Sequence, residues 1–222
     1  MISNKTVEIQ QVRAIVPLKS IKKSKTRLSE TKAVDRAKLT EAMFTNVLVA
    51  LRRARKISDI TVVSHDKRAA RIARRHGAKF LWEGRGHGLN RAVRLAIERM
   101  DHQAGAAAAM IIHADLPLVK SRDIDTFLSQ SKGSQIAMAP CKNGTGTNAL
   151  LLSPPNVIPP VFGEGSYRTH LALAKQTGLL WKVVQIRGIQ FDIDEPRDLR
   201  RLVEYNGLDG RFSFLKKITK FN

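Results

Sequence analysis

The chain carries one cysteine, Cys141, in 222 residues. A single thiol excludes an internal disulfide and any zinc site built on several cysteines, and suits a reducing cytoplasm. Aromatic residues make up only 5% of the sequence and do not interleave with the basic runs, so the stacking surfaces used by single-stranded nucleic acid are missing. No apolar run approaches the roughly 20 residues that span a bilayer. The longest, Ala104 to Ile112, is far shorter, and the polar start MISNKTVEIQQ has no apolar leader core. A soluble, cytoplasmic protein with no membrane partner is expected. The six histidines form no H-E-x-x-H spacing, and the G-x-S-x-G nucleophile elbow and the G-x-G-x-x-G dinucleotide fingerprint are both absent. Acid is scarce as well: 19 Asp and Glu face 39 Lys and Arg, a net charge of +20. Such an excess attracts anions, whether nucleic acid, a membrane surface or phosphorylated small molecules.

What is present is enough apolar residue, 43%, for a single core, and one domain over 1–222 is expected with a short basic tail from about 211 to 222. Val12 to Leu18 is a β-branched run, and Leu39, Met43, Phe44, Val47, Leu48 and Leu51 follow at helical spacing. DITVVS, AKFLW, AAMIIHA, QIAMAP, TNALLLS and WKVVQI read as further strands. Helices are predicted over DKRAARIARRHG, after the glycines at 84, 86 and 88, from about Ser121 to Gln130, from about Ser166 to Thr177, and in FDIDEPRDLRRLVEY. Strand–helix alternation with continuously apolar strands predicts an α/β, three-layer fold whose mostly parallel sheet is covered on both faces. In such sheets ligands bind outside the carboxyl ends of the strands.

Three of those ends carry unusual charge. Asp115 closes a strand too apolar to be exposed, so its carboxylate needs a cation or several donors. Asp192 and Asp194, two apart in QFDID, share a face if that segment is extended, and a divalent metal would relieve their repulsion. Oxygen ligands favour magnesium. Asp194 has a second reading as a helix N-cap, and Asp198 one in a first helical turn. After the first strand, Lys19, Lys22, Lys23, Lys25 and Arg27 crowd one loop. Lys22 and Lys23 suit a solvated face, whereas Lys19, Lys25 and Arg27 are expected around a triphosphate as the catalytic cations. Pro17, Lys19, Lys25, Gly88 and Asn90 make up the expected nucleotide contacts, with turn glycines and a helix-starting Asn as the plainer reading of the last two. Thr147 and Ser166 set hydroxyls beside backbone opened by Gly146, Gly163 and Gly165, although Ser166 alone is also an ordinary cap.

In this order, IVPLKSIKKSKTRL, ADLPLV, GTGTNALLL, FGEGSYRTHLALA and FDIDEPRDL resemble the 2-phospho-L-lactate guanylyltransferase family of coenzyme F-420 biosynthesis over nearly the whole chain. The resemblance implies a nucleotidyltransferase fold, GT-A-like and Rossmann-like. It implies magnesium on Asp115, Asp192 and Asp194, an acceptor site at Thr147, Gly163 and Ser166, and a homodimer. GTP would be one substrate. The other would be a small phosphorylated carboxylic acid, 2-phospho-L-lactate, phosphoenolpyruvate or a phosphoglycerate. A phosphate acceptor is already an anion at neutral pH, so the lack of an evident general base fits that chemistry. The competing class is a nucleic-acid-binding protein, supported by RRARK at 52–56 and by Lys67, Arg68, Arg71, Arg74 and Arg75, and opposed by the missing aromatics.

Overall fold

The structure, a computed structural model, describes residues 11–21, 28, 35–84, 88–101, 108–205 and 210–217. Lys22, Lys23, Lys25, Arg27 and Gly86 lie outside them. Seven strands form one sheet: β1 (Val12–Pro17), β2 (Ile57–Ser64), β3 (Lys79–Trp82), β4 (Ala108–Ile112), β5 (Ile136–Pro140), β6 (Thr147–Leu152) and β7 (Trp181–Val183), in the order β3-β2-β1-β4-β6-β5-β7. Pairing is parallel except that β6 runs antiparallel to both β4 and β5. That reversal follows from the connection. Only the short turn 141–146 separates β5 from β6, and a parallel crossover needs a dozen or more residues.

Alternation along each central strand loads both faces. Val12, Ala14 and Val16 of β1, Met110 and Ile112 of β4, and Leu151 of β6 pack on one side, against α1 (Arg36–Arg53), α2 (Lys67–Arg75) and α4 (Ser121–Gln130). Ile15, Ile111, Leu150 and Leu152 pack on the other, against α3 (Leu89–Asp101) and α5 (Ser166–Gln176). Each large side chain fully withdrawn from water here, such as Phe44 or Ile111, contributes about 1.5–3 kcal/mol. The helix starts are chemically marked: the carboxylates of Asp35 and Asp66 accept from the N–H groups of Lys38 and Arg68 and so cap α1 and α2.

A third cluster joins α1 to the C-terminal region. Leu39 and Met43 meet Ile193, Leu199 and Leu202, the last two on α7 (Pro196–Glu204), together with Phe212 and Leu215 of a 3-10 helix, Gly210–Lys217. The tail expected from about 211 is therefore packed at its start, because Phe212 and Leu215 are apolar residues set among the basic ones. One further turn of helix, α6 (Arg187–Gln190), was not anticipated. Among the described residues no helix is long and apolar enough to cross a membrane.

Candidate active site

The carboxyl ends of β1 to β5 share one edge of the sheet, and the antiparallel β6 brings its amino end, Thr147 and Asn148, to that same edge. Asp115 stands just past β4, on a turn pinned from below. The buried Asn46 of α1 points its amide nitrogen at the carbonyl oxygens of Leu116, Pro117 and Val119, at 3.2, 3.1 and 3.0 Å. Asp192 and Asp194 flank Ile193 after α6, and Asn148 holds that segment by donating to the carbonyls of Ile189 and Gln190 at 3.0 and 3.2 Å.

These carboxylates feel one another. Burial pushes the Asp192 carboxyl up to about 6, with the Asp115 and Asp194 charges adding to the rise and Lys142 opposing it. Lys142, from the turn after β5, donates to the Asp192 carbonyl at 2.7 Å and approaches its Oδ1 at 3.2 Å and Asp198 Oδ2 at 3.0 Å. Burial alone would lower the lysine; Asp192 and Asp198 outweigh it and hold its pKa above the ordinary value. Asp198 lies in the first turn of α7, and its Oδ2 accepts from the N–H groups of Asp194 and Glu195 at 3.0 and 2.9 Å. Burial would raise Asp198, but those N–H groups and Lys142 bring it below the usual carboxylate range. Asp194 is not the helix cap; Glu195 occupies that position. Among the described residues no three acidic, histidine or cysteine side chains are drawn into a finished ligand set. The chemistry of the three aspartates nevertheless fits a hard divalent cation: their donors are all oxygen, Asp115 and Asp194 both act against the charge on Asp192, and Lys142 offsets that only in part.

Beside the acids lies a corner built from hydroxyls. The turn 141–146 is clamped by Cys141, whose backbone N–H donates to Gly146 O and whose Sγ accepts from Gly146 N at 3.0 Å. Thr147 N–H donates to Ser166 Oγ at 3.1 Å, so Ser166 ties the start of α5 to the start of β6; Gly165 takes the cap position instead. Gly163 has φ +131 with open space around its would-be Cβ, so the backbone conformation is what calls for glycine there. Thr147 Oγ1 also sits 3.0 Å from Nδ1 of the buried His170.

A separate cavity of about 210 Å³ opens at the ends of β1, β2 and β3 and is lined by Pro17, Lys19 and Gly88 together with His65 and Glu83. Three of the five expected nucleotide contacts thus meet around one space. Lys19 is exposed, and its loop is anchored by Asp66, which accepts from Ser20 Oγ and Ile21 N. Asn90 is used differently from the expectation. Its Nδ2 donates to Phe162 O at 3.0 Å and its Oδ1 accepts from Phe162 N at 2.6 Å, so this amide braces the loop before α5.

The family model for guanylyl transferases of the CofC-like type matches residues 12–221. The chain belongs to this family. As a guanylyl transferase it is similar to the phosphoenolpyruvate guanylyltransferase of Sphaerobacter thermophilus, 37% identical over 190 residues, 85% of this chain and 91% of that one. The 2-phospho-L-lactate guanylyltransferase of Methanocaldococcus jannaschii is 28% identical over 208 residues, 94% of this chain and 89% of that one. In fold it resembles a protein of Desulfovibrio desulfuricans G20 classed with nucleotide-diphospho-sugar transferases, with a TM-score of 0.76 at 16% identity over 93% of this chain and 94% of that one. The protein is a nucleotidyltransferase, and its fold is the α/β nucleotidyltransferase fold expected from the strand–helix alternation.

Sequence reasoning missed several residues of this candidate site in the guanylyl transferase: Lys142 beside Asp192 and Asp198, Asn46 under the Asp115 turn, Asn148, and His170. Lys142 was one lysine among many. His170 had a weak signal, being a histidine on the same helix as Ser166 and one turn beyond it.

Proposed function

We propose that this chain transfers GMP from GTP to a small phosphorylated carboxylic acid, phosphoenolpyruvate or 2-phospho-L-lactate, in coenzyme F-420 biosynthesis, with Asp115, Asp192 and Asp194 holding magnesium. The observation that carries the reading is the arrangement at one sheet edge: Asp115 stands just past β4, Lys142 of the 141–146 turn is bonded to Asp192, and Thr147 at the end of that turn is bonded to Ser166. The acceptor's phosphate oxygen forms a bond to the α-phosphorus of GTP, the bond to the bridging α–β oxygen breaks, and pyrophosphate leaves. No proton has to be removed from the nucleophile, so no general base is needed. Magnesium, when bound, supplies charge neutralisation at the reacting phosphate. Asn46 and Asn148 hold the two acidic segments in place, the hydroxyl corner orients the acceptor, and Lys19 attracts the polyphosphate.

The cavity at Pro17 and Gly88 supports guanine as the base. Glu83 lines it, its Oε1 held 2.9 Å from His65 Nδ1. A carboxylate only accepts hydrogen bonds. Guanine offers N1–H and the 2-amino group as adjacent donors, whereas adenine has an acceptor at N1.

The deciding experiment incubates purified protein with GTP, magnesium and each acceptor in turn, measuring pyrophosphate and identifying the product by mass. A guanylylated acid is expected with at least one of the two. Absence of product from phosphoenolpyruvate, 2-phospho-L-lactate and a phosphoglycerate alike overturns the reading. Folded Asp115→Asn and Asp192→Asn proteins with full pyrophosphate release would overturn the metal assignment.

A further inference from the structure

The hydrogen atoms at the hydroxyl corner can be assigned from one backbone group. His170 is fully buried, and its ring bridges two neighbours: Nε2 accepts from Val161 N–H at 2.9 Å, and Nδ1 lies 3.0 Å from Thr147 Oγ1. A backbone N–H can only donate, so Nε2 must carry its lone pair and no proton. A neutral imidazole bare at Nε2 is protonated at Nδ1. His170 therefore donates to Thr147, and the threonine hydroxyl, accepting there, turns its own proton elsewhere. Ser166 is arranged in the same way, since its Oγ accepts from Thr147 N–H. Both hydroxyls are nearly withdrawn from solvent, Thr147 at 1% and Ser166 at 2% exposure, and among the described residues neither has an acceptor for its proton.

We propose that His170 is a positioning residue that locks Thr147, beside Ser166, as a hydrogen-bond donor, making this corner selective for an acceptor group that only accepts, a carboxylate or an ionised phosphate. The Phe162 ring keeps the imidazole in place with an edge contact at a centroid distance of 5.1 Å, and Phe162 is itself braced by Asn90. Burial first, and the nearby His113 second, lower the His170 pKa to about 4, consistent with the neutral ring that the geometry requires. The proposal rests on the guanylyl-transfer reading for its ligand but not for its proton positions.

The test has two arms. Nitrogen-15 shifts of the His170 ring in the whole protein are expected to show a protonated Nδ1 and a bare Nε2; a proton on Nε2 overturns the proposal whatever the kinetics. In the kinetic arm, His170→Phe, which keeps a ring, and Thr147→Val are each expected to raise the acceptor KM about 10- to 100-fold while the KM for GTP stays within about twofold. The double variant should be no worse than Thr147→Val, because one route is cut twice. Multiplying effects mean that His170 acts independently of Thr147 and overturn the proposal, and equal rises in both KM values do the same. Thr147→Ser, which keeps a hydroxyl, should recover most of the acceptor affinity. If the wild type transfers GMP to none of the acceptors, the functional reading falls, and direct titration of phosphoenolpyruvate into wild type and variants decides this inference separately.

Discussion

At the scale of single residues, the site shows how burial turns ordinary side chains into committed ones. Lys142 is 21% exposed yet bonded to Asp192 and Asp198. Removing one partner of a largely buried ion cluster leaves uncompensated charge, so Lys142→Met should cost about 2 kcal/mol in urea melts without divalent ions. Added magnesium should restore part of that loss; no recovery would argue against metal on these acids. His170 gives a pH signature. Its pKa is about 4 in the folded protein against 6.5 ordinarily, so between those values the unfolded chain binds more protons. Its contribution is then complete above pH 6.5 and is lost as pH falls toward 4, up to about 3 kcal/mol. Denaturant titrations should show this fall in wild type and a shallower one in His170→Phe. Glu83→Gln, which puts a donor in place of one acceptor oxygen, should narrow the preference for GTP over ATP in paired turnover assays.

Between residues and the whole stand the elements, and here the seating of α6 against α4 was beyond sequence reasoning. A methyl group on Gly188 of α6 would overlap Asp123 Oδ2, meet Asp123 Cγ at 2.9 Å and Leu118 O at 3.2 Å. Asp123 is not free to move, since it accepts from Lys120 N–H at the start of α4. Gly188→Ala should therefore destabilise the protein by about 1–3 kcal/mol and disturb the Asp115 turn, seen as a lower melting temperature together with a lower kcat. The long elements were legible because burial on both faces leaves continuous apolar runs and helices keep their 3.6-residue period; α4 was predicted over the residues it occupies. Asp115 stands out in the sequence as a carboxylate just past an apolar strand, and Asp192 and Asp194 as a pair two apart, although the element ahead of that pair is α6 and not the strand end expected. What pattern reading cannot supply is where a long side chain goes. Lys142 reaches across some fifty positions to Asp192, and Asn90 turns to Phe162, 72 positions away. The four-residue α6 has too little period to detect, and the packing of Phe212 and Leu215 depends on partners from distant segments.

For the molecule as a whole, the net charge of +20 is the dominant electrostatic fact. A few exposed cations are matched by local acids, as Arg55 is by Asp125 and Lys79 by Asp59, but most of the excess repels itself. Screening should relieve that strain, so the melting temperature is expected to rise with sodium chloride from low ionic strength upward; a steady fall would show that attractive pairs prevail. Steeply salt-dependent duplex binding by a protein unable to turn over nucleotide would favour the competing reading of the basic surface. The reversed course of β6 also governs how this enzyme can change over time. The turn ahead of it is rooted at both ends in neighbouring strands, a stapled hinge rather than a loose flap, so Thr147 has little room to drift. Ser166 and His170 bond that threonine to α5, so turn and helix are yoked, and descendants that alter one must alter the other with it.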